Sequence, residues 1–158
     1  MVTIRDATTD DVPVIRKLFE EYSGSLGIDL SFQDFKQELA TLPGKYAPPE
    51  GAVIVASHDG RPCGCVALRK IDAQACEMKR LYVKPGKRGL GIGRQLVTAI
   101  LEEARRKGYR VMRLDTLSSM RSAVALYSIF GFREIPPYIF NPIEGALFME
   151  KILEASGR

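Results

Sequence analysis

Arg88-Gly89-Leu90-Gly91-Ile92-Gly93-Arg94 is the stretch of this chain whose residue types most directly imply chemistry. Glycines alternate with apolar residues between two arginines, and Lys87 adds a further cation. Glycine lacks a Cβ, so it permits unusual backbone angles and a close approach by a ligand. Downstream, Leu96, Val97, Ile100, Leu101 and Ala104 recur on one helical face. The glycines therefore open into a helix, whose first N–H groups lack carbonyl partners and whose dipole favours an anion. Cations, glycines and a helix start together point to pyrophosphate. A P-loop would end in Gly-Lys-Ser/Thr, which is missing. A dinucleotide fingerprint would place glycine where Arg94 stands, and Asp115, near the expected spacing for a ribose ligand, falls inside a strand.

The elements that must hold this loop follow from periodicity. Val2 to Arg5 reads as a strand. Asp10 and Asp11 cap a helix that carries Val14, Ile15, Leu18, Phe19 and Tyr22 to about Ser25. Ser31 caps a second helix with Phe32, Phe35, Leu39 and Leu42, ending near Pro43-Gly44, and Lys45 to Glu50 is a loop. Ala52 to Ala56 and Gly64 to Ile71 form a hairpin around Asp59-Gly60, and Ala75 to Val83 is a third strand. The helix behind the glycines stops at Gly108. Val111 to Thr116 is a strand, Ala123 to Phe130 a short helix, and Phe132 to Ile135 and Ala146 to Ile152 are the last strands, separated by the loop Pro136 to Gly145. Hairpin strands followed by β-α-β units imply a mixed α+β or α/β fold with helices packed on a mixed sheet.

Composition bounds the rest. A chain of 158 residues, 46% hydrophobic and 27% charged, suits one globular domain over residues 1–158. No apolar run is long enough to span a bilayer and no secretory signal opens the chain, so a cytoplasmic location without membrane association is expected. Cys63, Cys65 and Cys76 are an odd set without a disulfide pattern. Cys63 and Cys65, two apart on a strand, are expected to share a face, and His58 is the only histidine, so no metal site is expected. The net charge of +4 is concentrated in Lys79, Arg80, Lys84, Lys87, Arg88 and Arg94. No stacking aromatics interleave with the later cations and no DNA-binding motif is present, so a nucleic-acid partner is not expected.

Two segments resemble the GNAT superfamily of acyl-CoA-dependent acyltransferases. The first is Leu81-Tyr82-Val83-Lys84-Pro85 followed by Arg88, Gly91 and Gly93, matching Arg/Gln-x-x-Gly-x-Gly/Ala between a strand and a helix. The second is Ala123-x-x-Leu126-Tyr127-x-x-x-Gly131-Phe132. Many relatives carry asparagine three residues before that alanine, where this chain has Met120. The resemblance implies a central, mostly antiparallel twisted sheet of about seven strands with about four helices. It implies acetyl-CoA as cosubstrate, a primary amine of a small molecule or peptide as acceptor, and a chain working as a monomer or homodimer. Transfer of another short acyl group, or acyl-CoA binding without catalysis, stays open.

The resemblance also implies roles. Main-chain N–H groups from Arg88 through Gly89, Leu90, Gly91, Ile92 and Gly93 to Arg94 would hold the pyrophosphate. The pantetheine arm would lie along Leu81, Tyr82 and Val83, where a bulge splays neighbouring strands. With Met120 unable to offer an amide, Ser119 is a further candidate contact. Tyr127 would protonate the leaving sulfur. Glu77 is a candidate base, with Glu77, Lys79, Leu81 and Val83 on one side of the strand by alternation. Its alternative is a strand glutamate paired with Lys79, Arg69 or Arg80. Tyr22, Phe32, Tyr138, Phe140 and Asn141 are candidates for the acceptor pocket.

Overall fold

The expected strand and helix order is present in the computed structural model, which describes residues 1–154. The strands are β1 (Val2–Asp6), β2 (Ala52–His58), β3 (Arg61–Lys70), β4 (Ala75–Val83), β5 (Val111–Leu117), β6 (Arg133–Ile135) and β7 (Ala146–Ile152). The helices are α1 (Val12–Leu26), α2 (Phe35–Ala40), α3 (Ile92–Arg106) and α4 (Arg121–Ile129). One sheet runs in the order β1-β2-β3-β4-β5-β7-β6. Every neighbouring pair is antiparallel except β4 and β5, which are parallel.

Two cores flank the sheet. On one face Leu96, Val97, Ile100, Leu101 and Ala104 of α3 are all buried against Ile54, Val66, Leu68, Met78 and Leu114. On the other, Ile15, Leu18 and Phe19 of α1 meet Val53, Val55, Cys65, Ala67 and Tyr82. Burying one apolar stripe per helix against a sheet face is the main force that fixes these layers.

The structure corrects the sequence reading at three places. The second helix does not begin at Ser31: a 3-10 turn covers Ser31–Gln33, Asp34 adopts a left-handed φ of 58°, and α2 starts only at Phe35. Asp10 and Asp11 lie in a 3-10 turn ahead of α1; Asp11 does stand at the N-cap position, but its carboxylate accepts from the Thr8 N–H at 2.7 Å and from Arg5 instead of capping the first-turn N–H groups.

The third correction concerns strand parity. Ala67 pairs with Lys79 and Cys65 with Tyr82, so Val66 alone faces both Arg80 and Leu81. Arg80 supplies the extra residue at φ 62°. A bulge of this kind resets the alternation of side chains. Met78 consequently packs with the α3 core and Tyr82 with the α1 core, although two-residue alternation puts them together. Lys79 remains on the α1 side, while Leu81 and Val83 pack against the α3 core. A second irregularity, between Ala56 and Ser57 of β2, similarly sends Cys63 and Cys65 to opposite cores.

Candidate active site

β4 and β5 stay paired for only three residues, Ala75–Glu77 against Val111–Arg113. β4 then runs on to Val83 and β5 to Leu117 without pairing, and a cleft opens between them. Leu81 and Lys79 line one wall, Asp115 and Leu117 the other, and Tyr127 and Met120 close one end. The Val83 carbonyl is turned away from β3 and accepts from Arg88 Nε at 3.0 Å. By strand alternation the Leu81 main chain faces the same open side.

The glycine loop sits at the mouth of this splay. Gly89 and Gly91 hold φ of 86° and 77°, in the left-handed region that only glycine occupies without strain. A Cβ built on either would meet no atom within 4 Å, so the surface above the loop is open to a ligand. Gly91 is the N-cap of α3 and offers no side chain to the first-turn N–H groups. Arg88, Leu90 and Arg94 are exposed, Ile92 is buried as an anchor for the helix, and Gly93 is half-buried. Lys87 Nζ lies 3.0 Å from His58 Nδ1. Free N–H groups, a helix dipole and flanking cations suit a pyrophosphate.

Tyr127 is 7% exposed and packs edge-on against Phe132, with ring centroids 5.9 Å apart. Among the described residues its hydroxyl makes no hydrogen bond, and the side chain lines the cleft. Burial raises its pKa above the usual phenol value, so the proton is retained. Ser119 lies exposed in the turn before α4, whereas Met120, the N-cap of α4, lines the cleft. The Tyr82 ring points into the α1 core, where it meets Tyr22 at 6.5 Å and its hydroxyl donates to Glu21 at 3.3 Å.

At the far end, Tyr22, Phe32 and Asn141 join the cleft wall as expected. Phe140 stacks edge-on with Phe32 at 6.3 Å but is 71% exposed. Asn141 Nδ2 donates to Asp115 Oδ2 at 3.0 Å, and its Oδ1 accepts from the Ile143 N–H. Tyr138 lies behind the wall, with its hydroxyl donating to Glu77 Oε2 at 2.5 Å. Burial, then the Glu77 carboxylate, push its pKa up, which keeps it a donor.

Glu77 itself is completely buried rather than open to the cleft, and its other oxygen accepts from Arg69 Nε at 2.6 Å. The carboxylate is held on both sides, so the pairing with Arg69 is the part of the sequence reading that describes its surroundings.

Residues that sequence reasoning did not assign to the site complete it. Lys79 and Arg80 leave the basic run and turn inward beneath α2 and the preceding turn. Arg80 Nε and Nη2 meet the two oxygens of Glu38 at 2.8 and 2.9 Å, a bidentate pair. The Arg80 guanidinium also stacks over Phe35 at 5.1 Å. The only available signal was the placement of Lys79-Arg80 before the strand end; their partners Gln33 and Glu38 carry no local mark. Among the described residues, no cluster of three or more metal-ligating side chains occurs and no helix is long and apolar enough to cross a membrane.

Comparison with known proteins agrees with this geometry. A family model described as Acetyltransferase (GNAT) family matches residues 13–132. An uncharacterized N-acetyltransferase of Schizosaccharomyces pombe is 43% identical over 141 residues, covering 88% of this chain and 86% of that protein. The IAA acetyltransferase of Azospirillum brasilense is 37% identical over 158 residues, covering 96% of this chain and 98% of that one. Among solved structures, a proposed acetyltransferase from Salmonella typhimurium, determined with its cofactor acetyl-CoA, superposes with a TM-score of 0.69 at 22% identity, covering 100% of this chain and 97% of that one.

Proposed function

The chain belongs to the GNAT family of acetyltransferases, and from that premise we propose that it acetylates a primary amine, on a small molecule or peptide, entering the cleft from the α1–α2 side. The observation that carries this reading is the β4–β5 splay, which brings Leu81, Asp115 and Tyr127 into one cleft next to the glycine loop. Acetyl-CoA supplies the acetyl group as an activated thioester.

The chain's own residues meet three requirements. The main chain from Arg88 to Arg94 receives the pyrophosphate, and the open N–H and carbonyl groups along Leu81 and Val83 receive the pantetheine as an added strand would pair. A main-chain N–H there also stands where charge develops on the carbonyl oxygen. As the carbon–nitrogen bond forms and the carbon–sulfur bond breaks, the Tyr127 hydroxyl gives its proton to the sulfur. The amine must lose a proton, and Asp115 is the carboxylate that lines the cleft. Asn141 orients it. In this reading Glu77 acts as a positioning residue, holding Tyr138 and Arg69 behind the wall.

The test is turnover of acetyl-CoA against a broad panel of amines, with detection of free CoA and of the N-acetyl product by mass. Stoichiometric release of both with at least one amine is expected. Binding of acetyl-CoA without product from any amine would leave a binding module instead of an enzyme.

A further inference from the structure

Lys79 is buried inside the cleft, 9% exposed, and its ammonium is only partly satisfied. It donates to Gln33 Oε1 at 3.1 Å, and among the described residues it forms no ion pair. Even that amide oxygen is shared, because Arg80 Nη1 donates to it at 2.8 Å. The contrast with Arg80 next to it is informative. Arg80 has a dedicated bidentate carboxylate in Glu38. Two buried cations thus face one protein carboxylate within ion-pair reach, and Lys79 is the one left over.

An ammonium has three donors, and a buried charge is costly unless it is paired and hydrogen-bonded. Burial lowers the Lys79 pKa, with Glu77 and Asp115 acting against that shift and Arg80 with it. Asp115 does not satisfy Lys79, since it bonds Asn141 and stays outside ion-pair distance. The cleft around these two groups is mixed: Gln33, Thr116 and Asn141 add polar surface, while Tyr22, Leu26, Ile28 and Phe32 of the α1–α2 side supply an apolar patch. It therefore presents a cation on one wall, a carboxylate on the opposite wall and an apolar patch beside them. A polyamine would bring further positive charge against Lys79, which argues against that class.

We propose that Lys79 seats a carboxylate of the acceptor, so that the amine acetylated here is an amino acid with an apolar side chain, its amino group toward Asp115 and its carboxylate on the Lys79 ammonium. Pairing would use the free donors of Lys79 and exchange a lone buried charge for a hydrogen-bonded ion pair. The inference rests on the acetyl-transfer reading above and narrows its acceptor.

The test uses three matched series: L-leucine, L-methionine and L-phenylalanine, their carboxamides, and the corresponding amines lacking the carboxyl group. Free CoA is measured with the full-length protein, and acetyl-CoA binding is measured separately by calorimetry. The free acids should exceed their amides roughly ten- to a hundredfold in kcat/KM, the scale of a hydrogen bond to a charged group. Lys79→Met should erase that preference, chiefly through KM, with acetyl-CoA affinity retained. Lys79→Arg keeps the charge and should retain the preference, which separates loss of recognition from loss of fold. Equal turnover of amides or carboxyl-free amines overturns the inference and leaves the acetyl-transfer reading standing. So does an acid preference that survives Lys79→Met. Acetyl-CoA bound but no CoA released in any of the three series, while the broad amine panel does yield product, also overturns it. Silence across that panel too removes the transfer reading itself.

Discussion

The two ends of the cleft are built by different means. The phosphate end is made of main chain, from one continuous stretch between Arg88 and Arg94, with two glycines at positive φ. The acceptor end is made of side chains brought from far apart: Lys79 meets Gln33 across 46 residues, Arg80 meets Glu38 across 42, and Glu77 meets Tyr138 across 61. In the proposed function, a ligand part common to many reactions, the pyrophosphate, would be met by backbone geometry that a short string encodes. The variable partner would be met by pairings that exist only once the fold has formed. Tyr127 stands at the junction of the two ends.

The largest expected effect lies at that junction. Tyr127→Phe removes one hydroxyl that no other described residue uses. Turnover should fall roughly ten- to a thousandfold, in kcat more than KM, with acetyl-CoA affinity intact. Because burial raises the Tyr127 pKa, the phenol stays protonated where an ordinary tyrosine begins to ionise. The parent enzyme should therefore lose no activity to this group below about pH 10. An unaltered rate in the Phe variant would make the residue part of the core and the two ends independent.

Next comes Glu77→Gln, a test of how far the acceptor end depends on its buried support. Breaking a buried ion pair costs about 3–5 kcal/mol, and an isosteric amide should fall at the low end. In a domain of this size the melting temperature should drop roughly 6–12 °C. KM for the amine should rise more than that for acetyl-CoA. If the melt is unchanged and the acidic limb of the rate profile disappears, Glu77 is itself the base and Asp115 is not.

Gly91→Val probes the backbone-made end. A β-branched residue at φ 77° is strained by about 1–3 kcal/mol. Acetyl-CoA affinity should weaken by about fivefold to a hundredfold while the amine KM holds. Calorimetry showing unchanged affinity would break the comparison, since the loop would not need its glycine conformation. The smallest effect is expected for Arg88→Ala. Its side chain is exposed and bonds only the Val83 carbonyl. Exposed charge contacts contribute about 0–1 kcal/mol and are screened by salt, so affinity should fall at most severalfold and less so at high salt.

These same differences explain what the sequence could reveal. The face of α3 was readable because every apolar residue on it is buried against one sheet surface. The loop was readable as a glycine turn opening a helix because the residues that form it are next to one another. The acceptor end was not, for two physical reasons. Period-two reasoning assumes an unbroken ladder, and the extra residue Arg80 reverses every side chain after it. Likewise, nothing local marks Asp34 as a helix break, so Gln33 and Glu38 were assigned to one helix instead of to the two pieces that reach Arg80 and Lys79. Tyr22, Phe32 and Asn141 reached the cleft, whereas Tyr138 reached the buried glutamate behind it.

An open sheet ordinarily has two edges, and each invites a stray strand from another molecule. The early parting of β4 and β5 gives this sheet four, because β1 and β6 end it outside while β4 beyond Glu77 and β5 beyond Arg113 end it within. The inner edges face each other across a wedge that narrows to a closed, paired apex. A pleated strand with bulky side chains cannot descend into such a wedge, so these edges are shielded from aggregation by shape and need no charge or proline to guard them. Whatever enters toward the apex must be thinner than a pleated strand. The fold thereby turns a hazard of β-structure into a filter for the thickness of what it admits.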